Sequence, residues 1–76
     1  MTINDLKESM DMDMEITFVY QGKEYFLEPV ENSDKWMLFF EKVDDPEYLT
    51  RNQVLNLNID GKPISEILPL CSYVNY

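Results

Sequence analysis

A 76-residue chain with fifteen Asp and Glu, six Lys and Arg and no His carries a net charge of −9. It repels bare nucleic acid and anionic membrane surfaces, and it is drawn to basic protein surfaces, including those that ordinarily hold nucleic acid. The missing His removes the usual general base near pH 7, and the lone cysteine, Cys71, can form neither an internal disulfide nor a Cys–His pair.

The length fits one small domain over residues 1–76, and 45% apolar content is enough for a packed core rather than a disordered acidic tail. The first element is expected to be a short helix. Thr2 is its N-cap, Asp5 completes a capping box, and Ile3, Leu6 and Met10 share one face. It should end near Met10 or Asp11, with a strand from about Met14. Residues 15–28 then alternate as a hairpin. A two-residue turn at Gln21-Gly22 pairs Tyr20 with Lys23, Phe18 with Tyr25 and Ile16 with Leu27. Pro29 ends its second strand, because a residue without an N–H cannot continue a ladder.

Val30 to Lys35 is a polar loop, and Trp36 to Val43 is a third strand that is apolar on both faces. One face should meet the hairpin, so the other needs a helix or a partner chain to cover it. After the turn at Asp44-Asp45-Pro46, either Asp45 caps a helix or Glu47 to Leu49 returns as a strand. Thr50-Arg51-Asn52-Gln53 is a capping box and favours the second, with Val54, Leu55 and Leu57 turned inward. Asp60-Gly61-Lys62 is a tight turn. Pro63 opens a last short helix bearing Ile64, Ile67 and Leu68, which Pro69 stops. The expected fold is α+β: an N-terminal helix, a three- to four-stranded antiparallel sheet and two short C-terminal helices.

Little in the chain points to catalysis. Two glycines cannot build a phosphate loop. Asp11 to Glu15 opens like a calcium loop, but Ile16 stands where the turn glycine belongs and Gly22 where the bidentate Glu belongs. No metal, cofactor or enzymatic activity is expected, and Cys71 is expected to be a packing residue. No apolar run is longer than the five residues from Trp36 to Phe40, against about 18–20 for a membrane span. With no signal sequence and no disulfide, the expected location is the cytoplasm.

Two acidic clusters remain. One is Glu8, Asp11, Asp13 and Glu15; the other is Asp44, Asp45 and Glu47 beside Glu41. A solvated surface accounts for either, but solubility alone needs a charge of only about 2–8 in a small domain. Carboxylates spaced along a rigid scaffold can also stand in for phosphates against an Arg- and Lys-lined groove. The aromatics are mostly core, and Phe39, Tyr73 and Tyr76 are candidates for an apolar dimer or partner surface. Without a basic groove they are not a nucleic-acid stacking platform.

The opening I-N-D-L (Ile3 to Leu6), the hairpin E-I-T-F-V-Y-Q-G-K-E-Y (Glu15 to Tyr25) and N-I-D-G-K-P-I-S-E-I (Asn58 to Ile67) resemble small proteins of Gram-positive phages and mobile elements. The I-N-D-L opening and the helix–sheet–helices order are also similar to small acidic anti-CRISPR proteins that inhibit type II effector nucleases. That similarity implies a non-enzymatic inhibitor of a host defence factor, acting in the host cytoplasm, whose carboxylates mimic DNA on a basic protein surface. It rests on the first six residues, and no inhibitory residue carries over one to one. The alternative is a small structural or regulatory module that homodimerises, with its charge serving solubility.

Overall fold

A computed structural model describes residues 1–40 and 45–71, together with the backbone of residues 74–75. It shows the expected α+β fold, arranged as a five-stranded antiparallel sheet, one strand more than the three to four expected, with short helices on one face and a separate two-stranded hairpin. Helix α1 spans Ile3–Asp11, and strands β1 to β4 are Ile16–Tyr20, Lys23–Pro29, Lys35–Phe40 and Glu47–Thr50. Helix α2 (Arg51–Leu55) follows directly. A small hairpin of β5 (Asn58–Ile59) and β6 (Lys62–Pro63) then leads to α3 (Ile64–Ile67) and a 3-10 turn at Leu68–Leu70. The two-residue strand β7 (Val74–Asn75) adds to the free edge of β1, giving the order β4-β3-β2-β1-β7.

Local chemistry explains most boundaries. The Thr2 hydroxyl accepts from the Asp5 N–H, and the Asp5 carboxylate accepts from the Thr2 N–H. Thr50 and Gln53 repeat the device at the start of α2. These reciprocal caps satisfy N–H groups that have no partner within the helix. The β1–β2 hairpin keeps the expected register, with Ile16 opposite Leu27, Phe18 opposite Tyr25 and Tyr20 opposite Lys23. Gln21 and Gly22 both have positive φ (52° and 76°), as a tight two-residue hairpin turn demands.

Three boundaries differ from expectation. β1 starts at Ile16 rather than near Met14, because α1 ends in a left-handed cap. The Met14 N–H donates to the Ser9 carbonyl, the Asp13 N–H donates to the Met10 carbonyl, and Asp13 has φ 53°. Met12 and Met14 are therefore exposed. β3 starts one residue early, at Lys35, and its expected extension to Val43 runs into residues outside the described set. Pro63 lies just before α3 and pairs with Asn58 in the small hairpin.

The core lies between the helices and one face of the sheet. Ile16, Phe18, Tyr20, Tyr25, Leu27, Trp36, Leu38 and Leu49 pack with Leu6, Met10, Val54, Ile64, Ile67 and Leu68 in one buried cluster. Phe18 stacks on Tyr25 at 5.1 Å between ring centroids. On the opposite face Val19, Phe26, Met37 and Phe39 are half-buried and lie outside that cluster, and Tyr48 is exposed. Phe26 and Phe39 meet there at 5.8 Å. No helix of the described residues is long and apolar enough to cross a membrane.

Candidate protein-docking site

The first acidic cluster sits at the exit of α1. Glu8, Asp11, Asp13 and Glu15 are all exposed. Asp11 is the last helical residue, and Asp13 holds the left-handed position that closes the helix. No basic residue occupies the last turn, so the partly negative C-terminal end of α1 is surrounded by carboxylates. Arg51, the first residue of α2, reaches across to Asp11, its Nη1 2.5 Å from Oδ1.

The second cluster does not join the first. Asp45 and Glu47 are exposed at the start of β4, and Glu41 and Asp44 lie outside the described residues. Asp11 is tied to Arg51, just past the end of β4, so the clusters lie at opposite ends of that strand. Its four residues span roughly 13 Å at ~3.3 Å each. Glu47 instead borders a hollow of about 280 Å³ with Lys23 and Asp60.

The fold gives the first cluster new neighbours. The loop between β2 and β3 turns back toward the exit of α1, closed by the Val30 N–H donating to the Lys35 carbonyl. Asn32 takes φ 60° at its tip, and the Ser33 hydroxyl accepts from the Lys35 N–H. The loop carries Glu31 and Asp34 to a cavity of about 550 Å³ that Asp13, Met10, Trp36 and Arg51 also line. Its rim is therefore mixed, with the carboxylates of Asp13, Glu31 and Asp34 against the cations of Lys35 and Arg51. Sequence reading missed Glu31 and Asp34. They lie on a five-residue loop between two paired strands, and no sequence pattern says that this loop meets the exit of α1.

Other expected roles fall elsewhere. Phe39 lies on the outer sheet face, whereas Tyr73 and Tyr76 lie outside the described residues. Cys71 is half-buried against the core, and its thiol donates to the Ile67 carbonyl at 3.3 Å. Burial pushes that thiol above its ordinary pKa, partly opposed by the N-terminal ammonium. Among the described residues no three carboxylate or thiol groups converge closely enough to hold a metal ion.

The chain matches no protein-family model, no curated protein and no solved structure.

Proposed function

We propose that this protein is a non-enzymatic inhibitor that docks its acidic face on the basic, nucleic-acid-binding surface of a host defence factor, in the manner of small acidic anti-CRISPR proteins. The observation that carries the reading is the carboxylate load at the exit of α1. There the helix dipole disfavours anions, and Asp13 also adopts a backbone geometry that glycine suits better. Local rules broken at one exposed place are a mark of functional surfaces. The helix cap and the closed β2–β3 loop fix the backbone that carries these carboxylates. Attraction between the acidic face and a basic groove steers encounter and is screened by salt.

The test is affinity for a purified partner across a salt series. Binding should weaken steadily as salt rises. Charge reversal at Asp11 and Asp13 should weaken it more than reversal at Glu24, which is exposed on β2 and does not line the cavity at the exit of α1. Reversal at Asp44 and Asp45 asks the same of the second cluster. Affinity that stays flat from low to high salt rules the reading out.

A second reading is favoured by the outer sheet face, where Phe26, Met37 and Phe39 lie outside the core. Two copies can pair through that face, with the charge serving solubility. Its salt dependence has the opposite sign: copies at −9 repel, so added salt should strengthen the dimer. A dimer seen by light scattering at high salt and lost in Phe39→Asp supports this reading. A monomer at every salt concentration removes it.

A further inference from the structure

We infer that the Asp60-Gly61 turn is a site of spontaneous backbone isomerisation: the chain passes through a succinimide to an isoaspartyl link, and the product is a substrate for an S-adenosylmethionine-dependent isoaspartyl methyltransferase. The inference goes beyond the docking reading and does not depend on it. The sequence supplies the first condition. Of the two glycines, Gly22 follows Gln21 and Gly61 follows Asp60, so this is the one place where an aspartate precedes a residue without a Cβ. At every other Asp the side chain of the next residue crowds the attacking amide.

The structure supplies the second condition. Asp60 and Gly61 form the two-residue turn between β5 and β6, with φ 53° and 77°, and both are exposed. The ladder ends at Ile59 opposite Lys62, so the Gly61 N–H lies beyond it and donates to no carbonyl among the described residues. The Asp60 carboxylate has no hydrogen bond or ion pair among the described residues. A Cβ placed on Gly61 would meet nothing within 4 Å, so the turn has open space around it. Neither reacting group has to give up a partner. The two strands are only two residues each, and so short a hairpin opens locally at little cost. Asn32-Ser33, the other exposed turn of related chemistry, is held more firmly. The Val30 N–H donates to the Lys35 carbonyl across it, the Ser33 hydroxyl accepts from the Lys35 N–H, and Ser33 carries a Cβ.

The Gly61 nitrogen attacks Cγ of Asp60 in its carboxylic acid form. The N–Cγ bond forms, the Cγ–O bond breaks, and one water leaves with the amide proton. Water then cleaves one of the two C–N bonds of the five-membered ring. Cleavage at Cγ restores aspartate. Cleavage at the main-chain carbonyl of Asp60 leaves Gly61 attached through Cγ, which is the isoaspartyl link. No atom is gained or lost overall, and one carboxylate remains, so the net charge stays at −9. The main chain gains one methylene at the turn, between the paired Ile59 and Lys62.

The experiment ages the intact protein in warm neutral buffer for several weeks and digests it. The peptides are then offered to an isoaspartyl methyltransferase with labelled S-adenosylmethionine. The peptide holding Asp60 should separate into two species of equal mass, of which only the new one takes the label. Asp60→Glu should lose the label, because its ring would have six members and closes far more slowly. Asp60→Asn should gain it several-fold faster, with release of ammonia, because ammonia leaves more readily than water from the same ring closure. Both substitutions are at an exposed turn position outside the core, so the fold is kept. An Asp60 peptide that stays single and unlabelled, or label confined to other peptides, overturns the inference. So does equal labelling of this peptide in Asp60→Glu.

Discussion

Asp11 and Arg51 tie the end of α1 to the start of α2, with Nη1 2.5 Å from Oδ1, and they place the acidic cluster beside the β3–β4 side of the sheet. Both side chains are about half exposed, so solvent and salt screen the pair. Arg51→Ala should therefore cost less than about 1 kcal/mol of stability. Its effect on docking should have the opposite sign. Freed from Arg51, Asp11 adds a full negative charge to the docking face, and affinity for a basic partner should rise up to about fivefold. Urea denaturation and a binding isotherm on the same variant check both signs.

The core leaves little margin. A chain of 76 residues is worth about 4–11 kcal/mol of stability by per-residue scaling. Phe18 is fully buried and stacked on Tyr25. Phe18→Ala should cost about 3–5 kcal/mol, enough to leave much of the population unfolded. Phe39→Ala removes a ring of similar size from the outer face, where it is half-buried, and should cost clearly less. Thermal melts of the two variants give the comparison.

The hairpin turn is sound but not optimal. Gln21 sits at φ 52°, a conformation that Asn enters more readily than Gln. Gln21→Asn should raise stability by on the order of 0.5 kcal/mol without moving the register of Phe18 on Tyr25. A higher melting temperature with unchanged cross-strand contacts in NMR spectra is the expected outcome.

The features that were legible in the sequence are local. Thr2 with Asp5, Thr50 with Gln53, and Gln21-Gly22 each fix a backbone within a few residues, so the pattern alone places both capped helix starts and the hairpin register. The cavity was not legible, because its rim joins Asp13 at the end of α1 to Glu31 and Asp34 on the β2–β3 loop. That meeting depends on where α1 packs across the sheet, which no periodicity encodes. The two acidic clusters looked equivalent as counts of charge. They differ because only the first falls where a returning loop adds carboxylates.

Cys71 predicts a pH effect. Burial raises its pKa in the folded chain, so the fold favours the neutral thiol over the thiolate. The unfolded chain loses its thiol proton first, near pH 8.5, and from there the unfolded state gains relative to the folded one. The contribution of Cys71 is thus fully present below that pH and is lost as pH rises through the folded pKa. Wild-type stability should decline above about pH 8.5, and Cys71→Ala, which starts lower because it removes packing, should lack that component of the decline. Denaturant midpoints from pH 7 to 10 for both proteins separate the titration from the packing loss.

Asp13 separates a functional acidic face from a merely soluble one. Its φ of 53° is strained for a residue with a Cβ, and it adds a negative charge two residues past the negative end of α1. Asp13→Gly relieves both penalties and keeps the Met14 and Asp13 N–H groups bonded to the Ser9 and Met10 carbonyls. Glycine also loosens the unfolded chain, which offsets part of the gain, so the net stabilisation should be about 0.5–1 kcal/mol. If the acidity serves solubility alone, the variant is a simple improvement and no binding property changes. If the α1 exit is the docking face, the same variant should be more stable and bind a basic partner about tenfold more weakly, the loss of one charge-assisted contact. Stability and affinity moving in opposite directions on one substitution is the expected outcome, and unchanged affinity in a stabilised Asp13→Gly removes this end of the molecule from the docking surface.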